Sequence, residues 1–132
     1  MQPYRNCSYV DSAWADKLAQ VDLGDFQALW EAKLPWVEEP NYRRGGWSGV
    51  ARYQIDATDD TSVVYIKRQQ NHVFRPWSHP KRGLPTFYRE ARNILYFNMH
   101  GIPAVTPIFF DMREQAGNQQ AILVTKALIG YQ

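Results

Sequence analysis

A short apolar strand that ends in lysine, reached through a glycine-rich hairpin, constrains this chain more than any other feature. Residues 42–44 can form a short strand, and Gly45-Gly46-Trp47-Ser48-Gly49 follows. Alternation then runs from Val50 to Ile55, with Ala51, Tyr53 and Ile55 on one face and Arg52 and Gln54 on the other. A polar turn over residues 56–61 leads into Val63-Val64-Tyr65-Ile66-Lys67. The pattern predicts a hairpin with a glycine-rich connection and then a second hairpin into an apolar strand. Glycines let backbone approach a ligand closely and turn N–H groups toward an anion. Lys67 shares a face with Val63 and Tyr65, so it must either leave the sheet for solvent or find a negative partner.

The clearest helix supplies a candidate. It is expected to begin at Thr86 and end at His100-Gly101, with Pro103 just beyond. At 100° per residue, Phe87, Ala91, Ile94, Leu95 and Phe97 form an apolar face, with Arg89, Arg92, Asn93 and Tyr96 opposite. Glu90 falls inside the apolar sector, where an unpartnered carboxylate would be costly or would take up a proton. Either Glu90 meets Lys67, or both sit at a rim and meet water; the helical wheel leaves both open.

Two shorter helices are expected earlier, packing ahead of the sheet. One covers residues 12–21, with Ala13, Trp14, Leu18 and Val21 on one side. The other starts at Asp25, a good N-cap, and carries Phe26, Leu29 and Trp30 before Pro35. Residues 69–85 form a long link with Pro76, Pro80, Gly83 and Pro85, of a length usually functional or mobile. Two more strands, near 105–110 and 120–125, flank a turn at 114–118. The expected fold is therefore α+β in a chain of 132 residues. It has a five-stranded antiparallel sheet, one long helix after the third strand, and an N-terminal helical extension over residues 1–40.

Charge is uneven. Residues 11–40 hold seven acids against Lys17 and Lys33, whereas residues 67–92 hold seven bases against Glu90. That polarity points to an anionic ligand at the middle segment, not to bulk nucleic-acid binding, and the net charge is only +2. The lone Cys7 excludes a disulfide within the chain and suits a reducing compartment. His72, His79 and Cys7 lack the spacing of a zinc site, so no metal ligand is assigned. The N-terminus lacks the apolar core of a signal peptide and no run is long enough to span a membrane, so a soluble, cytoplasmic protein is expected.

Several motifs in order resemble a known family. They are Arg43-Arg44-Gly45-Gly46-Trp47-Ser48-Gly49, Tyr65-Ile66-Lys67-Arg68-Gln69, and His79-Pro80-x-x-Gly83-x-Pro85-Thr86-Phe87-x-Arg89-Glu90. Ala121-Ile122-Leu123-Val124-Thr125 and Leu128-x-Gly130-Tyr131 follow. Over about residues 40–132 the chain resembles the N-terminal lobe of a protein-kinase-like fold, and more narrowly the bacterial lipopolysaccharide kinase (Kdo/WaaP) family in its InaA-like branch. The resemblance implies an ATP-binding lobe over residues 41–132. Gly46, Trp47, Ser48 and Gly49 would cover the nucleotide phosphates, Lys67 would hold them, and Glu90 would pair with Lys67. Thr125, Lys126 and Leu128 would begin the hinge that binds adenine. Arg44 stands where protein kinases carry the first loop glycine, and Ala51 where they carry valine.

The same resemblance implies ATP and Mg²⁺ as cofactors and a sugar hydroxyl of lipopolysaccharide or a related anionic glycan as acceptor, at the cytoplasmic face of the inner membrane. Arg75, His79, Lys81 and Arg82 would attract that acceptor. No stretch offers a catalytic-loop Asp with a downstream Asn or a metal-binding Asp motif. The Mg²⁺ ligands are therefore expected in a C-terminal lobe absent from this chain, and the chain alone is expected to be inactive. The alternative reading is a non-catalytic module that binds a nucleotide or phosphorylated ligand in stress response. A nucleic-acid binder built on Arg75, Lys81, Arg82, Phe74 and Trp77 is disfavoured by the acidic first quarter.

Overall fold

The computed structural model describes residues 8–43, 45–75, 83–102 and 105–127. Strand β1 (Tyr9–Val10) precedes helices α1 (Ser12–Gln20) and α2 (Phe26–Glu31). Strands β2 (Trp36–Arg43), β3 (Gly46–Gln54) and β4 (Val63–Gln70) come next, then the two-residue strands β5 (Val73–Phe74) and β6 (Leu84–Pro85). Helix α3 (Thr86–Met99) and the hairpin of β7 (Pro107–Gln115) and β8 (Asn118–Lys126) follow. One antiparallel sheet runs in the order β1-β7-β8-β4-β3-β2.

The sheet has six strands where the sequence predicts five. The additional one, β1, is held from outside: Tyr9 and Val10 pair with Phe110 and Phe109, and the Asp11 amide donates to the Ile108 carbonyl at 2.8 Å. Two residues carry no periodicity, so such a strand leaves no local signal. Strand β2 is longer than residues 42–44 and straddles position 40. It is an edge strand with register shifts and carries Glu38, Glu39 and Pro40, residues that blunt a free edge and hide it from pattern reading.

Strands β4 and β8 lie at the centre and are covered on both faces. On one face, Val64, Ile66, Ile108, Ile122 and Val124 form a core with Trp14 and Leu18 of α1, Leu23, and Leu29 of α2. Asp11 caps α1 at the Ala13 amide and Asp25 caps α2 at the Ala28 amide, each at 2.8 Å. On the other face, Phe87, Tyr88, Ala91 and Ile94 of α3 pack with Leu84, Phe110, Ala121 and Leu123. Here the helical wheel needs correction. Tyr88 is fully buried, edge-on to Phe110 with centroids 6.0 Å apart, whereas Phe97 is 40% exposed. The N-terminal half of α3 lies over β6, β7 and β8, and its last turns carry the exposed Tyr96, Phe97 and Met99.

The link over 69–85 is more ordered at its ends than predicted. Strand β4 continues to Gln70, and β5 pairs with β6 through Val73 with Pro85 and Phe74 with Leu84. Residues 76–82 lie outside the described residues. Gly45 alone of the glycine-rich motif is in the turn (φ +79°), and Gly46 and Gly49 lie within β3.

A Cβ on Gly46 would come within 2.4 Å of the Asn71 carbonyl oxygen, which is backbone and cannot yield cheaply. Gly46→Ala should therefore cost about 2 kcal/mol of unfolding free energy in urea, within the range for overpacked sites. Gly117→Ala, with φ +80° but open space around it, should cost about 1 kcal/mol from backbone conformation alone. Equal losses would show that the close approach of β3 to Asn71 does not constrain the fold.

Candidate functional site

Lys67 lies in the middle of the sheet, opposite Val50 on β3 and Leu123 on β8. Strand alternation turns it to the face that α3 covers, while Ile66 turns to α1 and α2. On α3, Glu90 lies one turn after Phe87 and one turn before Ile94, at the border of the buried stripe. The Lys67 ammonium and the Glu90 carboxylate (Oε1) meet at 2.5 Å. The two residues thus meet, and with side chains 24% and 38% exposed they do so at the rim of the covered face and not within it. An ion pair so solvated stabilises a fold by only about 0.2–1 kcal/mol. Its physical effect is orientation: one ammonium donor is fixed on Glu90, and two remain for other acceptors.

The glycine-rich segment divides between the two faces. Ser48 and Val50 lie on the Lys67 face, opposite Gln69 and Lys67. Trp47 lies on the other, its ring 5.3 Å from that of Trp30 on α2. The Trp47 side chain therefore belongs to the α2 contact and cannot cover a ligand at Lys67. Val50, not Ala51, stands beside the lysine; Ala51 is buried opposite Ile66. Gly49 has a packing reason of its own, since a Cβ there would lie 2.8 Å from the Trp36 ring.

Thr125 is buried on the Lys67 face, paired with Tyr65. Beyond it the backbone is already engaged: the Lys126 amide donates to the Thr106 carbonyl and the Ala127 amide to that of Val63, both at 2.9 Å. Adenine contacts through those two N–H groups are closed off, and Leu128 lies outside the described residues. Of the basic residues assigned to an acceptor, Arg75 is exposed. His79, Lys81 and Arg82 lie outside the described residues. His72 places Nδ1 2.9 Å from the Thr86 hydroxyl. Among the described residues, no three His, Cys, Asp or Glu side chains are grouped to hold a metal ion.

One base of the positive segment is structural. Arg68 is buried and donates from one guanidinium nitrogen to the carbonyls of Leu29, Trp30 and Ala32, at 3.3, 3.2 and 2.8 Å. Its guanidinium lies 4.6 Å from the Trp36 ring centroid, and burial lowers its pKa from the ordinary value. A cation on the last carbonyls of α2 complements the helix end. The sequence lists it among candidate anion attractors because alternation alone does not say what covers each face.

A family model for the lipopolysaccharide kinase (Kdo/WaaP) family matches residues 27–132, and the chain belongs to that family. It is similar to Protein InaA of Escherichia coli (strain K12), with 33% identity over 107 residues, 81% of this chain and 47% of that protein. The chain thus spans about half the length of the curated relative it matches. No solved structure matches. No helix among the described residues is long and apolar enough to cross a membrane.

Arg68→Met should lower unfolding free energy by about 2 kcal/mol, the scale of hydrogen bonds to a charged group. Amides of α2 should lose hydrogen-exchange protection before those of β8. Unchanged stability would show that α2 is held by its apolar contacts alone.

Proposed function

We propose that this chain is the nucleotide-binding lobe, over residues 41–132, of a kinase that transfers phosphate from ATP to a sugar hydroxyl of lipopolysaccharide or a related glycan. The observation that carries the reading is the Lys67–Glu90 pair at 2.5 Å, on the half-open face beside Ser48 and Val50. A lysine fixed by a carboxylate keeps two donors for phosphate oxygens, and phosphoryl transfer depends mainly on such positioning and charge neutralisation. The half-exposed ammonium fits a phosphate. Residues 46–49 would lie over the phosphates through backbone groups, with Thr125 lining the adenine side and Leu128 continuing it. Arg75, His79, Lys81 and Arg82 would supply positive charge for the anionic acceptor. Mg²⁺ would be held by residues other than those described.

A second reading draws on one feature: Gly46 and Gly49 both have packing reasons to be glycine. A lobe that holds a nucleotide or a phosphorylated ligand without transferring anything needs Lys67 but no mobile glycine loop. Labelled phosphate moving from ATP to lipopolysaccharide, catalysed by the chain extended to the length of its relatives, would exclude that module.

Calorimetric titration with ATP, with and without Mg²⁺, tests the shared claim. Lys67→Met should weaken binding about tenfold or more, the worth of a charge-assisted hydrogen bond. Stability should change by less than about 1 kcal/mol, because the pair is a rim pair. Glu90→Gln should weaken binding about fivefold, a loss of orientation and not of charge. Native-like ATP affinity in Lys67→Met would overturn both readings.

A further inference from the structure

Gln69 is two residues beyond Lys67 on the same face of β4, and it is fully buried. Its amide makes three hydrogen bonds, two to the start of α3 and one to the turn that follows β4. Oε1 accepts from the Phe87 amide at 2.6 Å, and Nε2 donates to the His72 carbonyl at 2.5 Å and to the Thr86 hydroxyl at 3.0 Å. The same turn is closed by the Thr86 amide on the His72 carbonyl at 2.9 Å. The amide orientation follows from its partners, since reversing it would aim NH₂ at the Phe87 N–H and oxygen at the His72 carbonyl.

Helix α3 needs this contact. Its N-cap is Pro85, which has no side chain to accept from the first-turn amides. Gln69 performs that task from across the sheet. Phe87 and Glu90 are three residues apart on α3, about 4.5 Å along the axis. Gln69 and Lys67 are two residues apart on β4, about 6.7 Å. One strand and one helix are thus joined by two links: a buried one, Gln69 with Phe87, and a half-solvated one, Lys67 with Glu90.

We propose that Gln69 is a positioning residue, which by holding the first turn of α3 sets where Glu90 meets Lys67 and so tunes the ammonium for a nucleotide phosphate. The proposal rests on the kinase reading of Lys67. The exposed pair is too weak to position fourteen helical residues alone. The buried amide network, satisfied at each of its three contacts, is the stiffer link.

The test uses the 132-residue chain with Gln69→Met, Glu90→Gln and the double variant, titrated with MgATP. Gln69→Met should weaken binding about threefold in the native background and less than about 1.5-fold beside Glu90→Gln, because it acts through that carboxylate. Hydrogen exchange should quicken about tenfold at amides 87–91 and stay unchanged at 121–124. If Gln69→Met does not fold, Thr86→Val removes the hydroxyl that meets Gln69 and His72 but keeps the Phe87 amide bond, and it should show the same pattern at smaller amplitude. Equal losses in the two backgrounds, native affinity, or exchange that quickens throughout the sheet would each overturn the proposal. A native chain that binds no MgATP would defeat the kinase reading instead. The exchange pattern would then decide the claim about Gln69: quickening confined to residues 87–91 supports the tether, and any other pattern rejects it.

Discussion

Strand β4 must bury both faces while carrying four consecutive polar residues, Lys67, Arg68, Gln69 and Gln70, and the rest of the structure depends on how it does so. Each side chain meets a different element, and of their buried polar atoms only Arg68 Nε is without a hydrogen bond among the described residues. Arg68 turns to the carbonyls at the end of α2, Gln69 to the Phe87 amide and Thr86 hydroxyl at the start of α3, Lys67 to Glu90 one turn further along, and Gln70 to Gln120 of β8. Polar groups in a core are tolerated only when so paired, because each left unpaired would cost more than the net worth of its bonds. The two helical layers are thereby tied to one strand.

The division of labour follows from solvation. Arg68 and Gln69 are buried, so their bonds act in a low dielectric and help decide where the helices sit. Lys67 and Glu90 meet at the edge of α3, where water weakens their attraction. A pair that contributes little to folding and leaves ammonium donors facing an open surface suits ligand binding better than structural support. In the proposed function, a nucleotide phosphate would occupy that surface.

Much of this was legible in the sequence, and the exceptions share a cause. Lys67 and Glu90 stand on strongly periodic elements, so the sequence offers their meeting and a solvated rim as alternatives. The outcome, a pair formed at the rim, could not be read from it, because a wheel does not show how far a helix extends past the strands beneath it. Phe97, read as part of the apolar face, is 40% exposed for the same reason, and the buried Tyr88 was assigned to neither face. Arg68 was counted among the bases expected to attract an anion, since its partners are 36 to 39 residues away in sequence. Trp47 read as part of a phosphate cover, although two-residue alternation from Lys67 through its partner Val50 places it on the opposite face. Strand β1 has no periodicity, and β2 is masked by the charges and proline of an edge.

The most direct test is a crystal structure of the chain with a non-hydrolysable ATP analogue and Mg²⁺. The account predicts a phosphate oxygen about 3 Å from the Lys67 ammonium while Glu90 remains bonded to it. A nucleotide bound elsewhere, or one bound at this face with Lys67 turned away from both Glu90 and the phosphates, would contradict it.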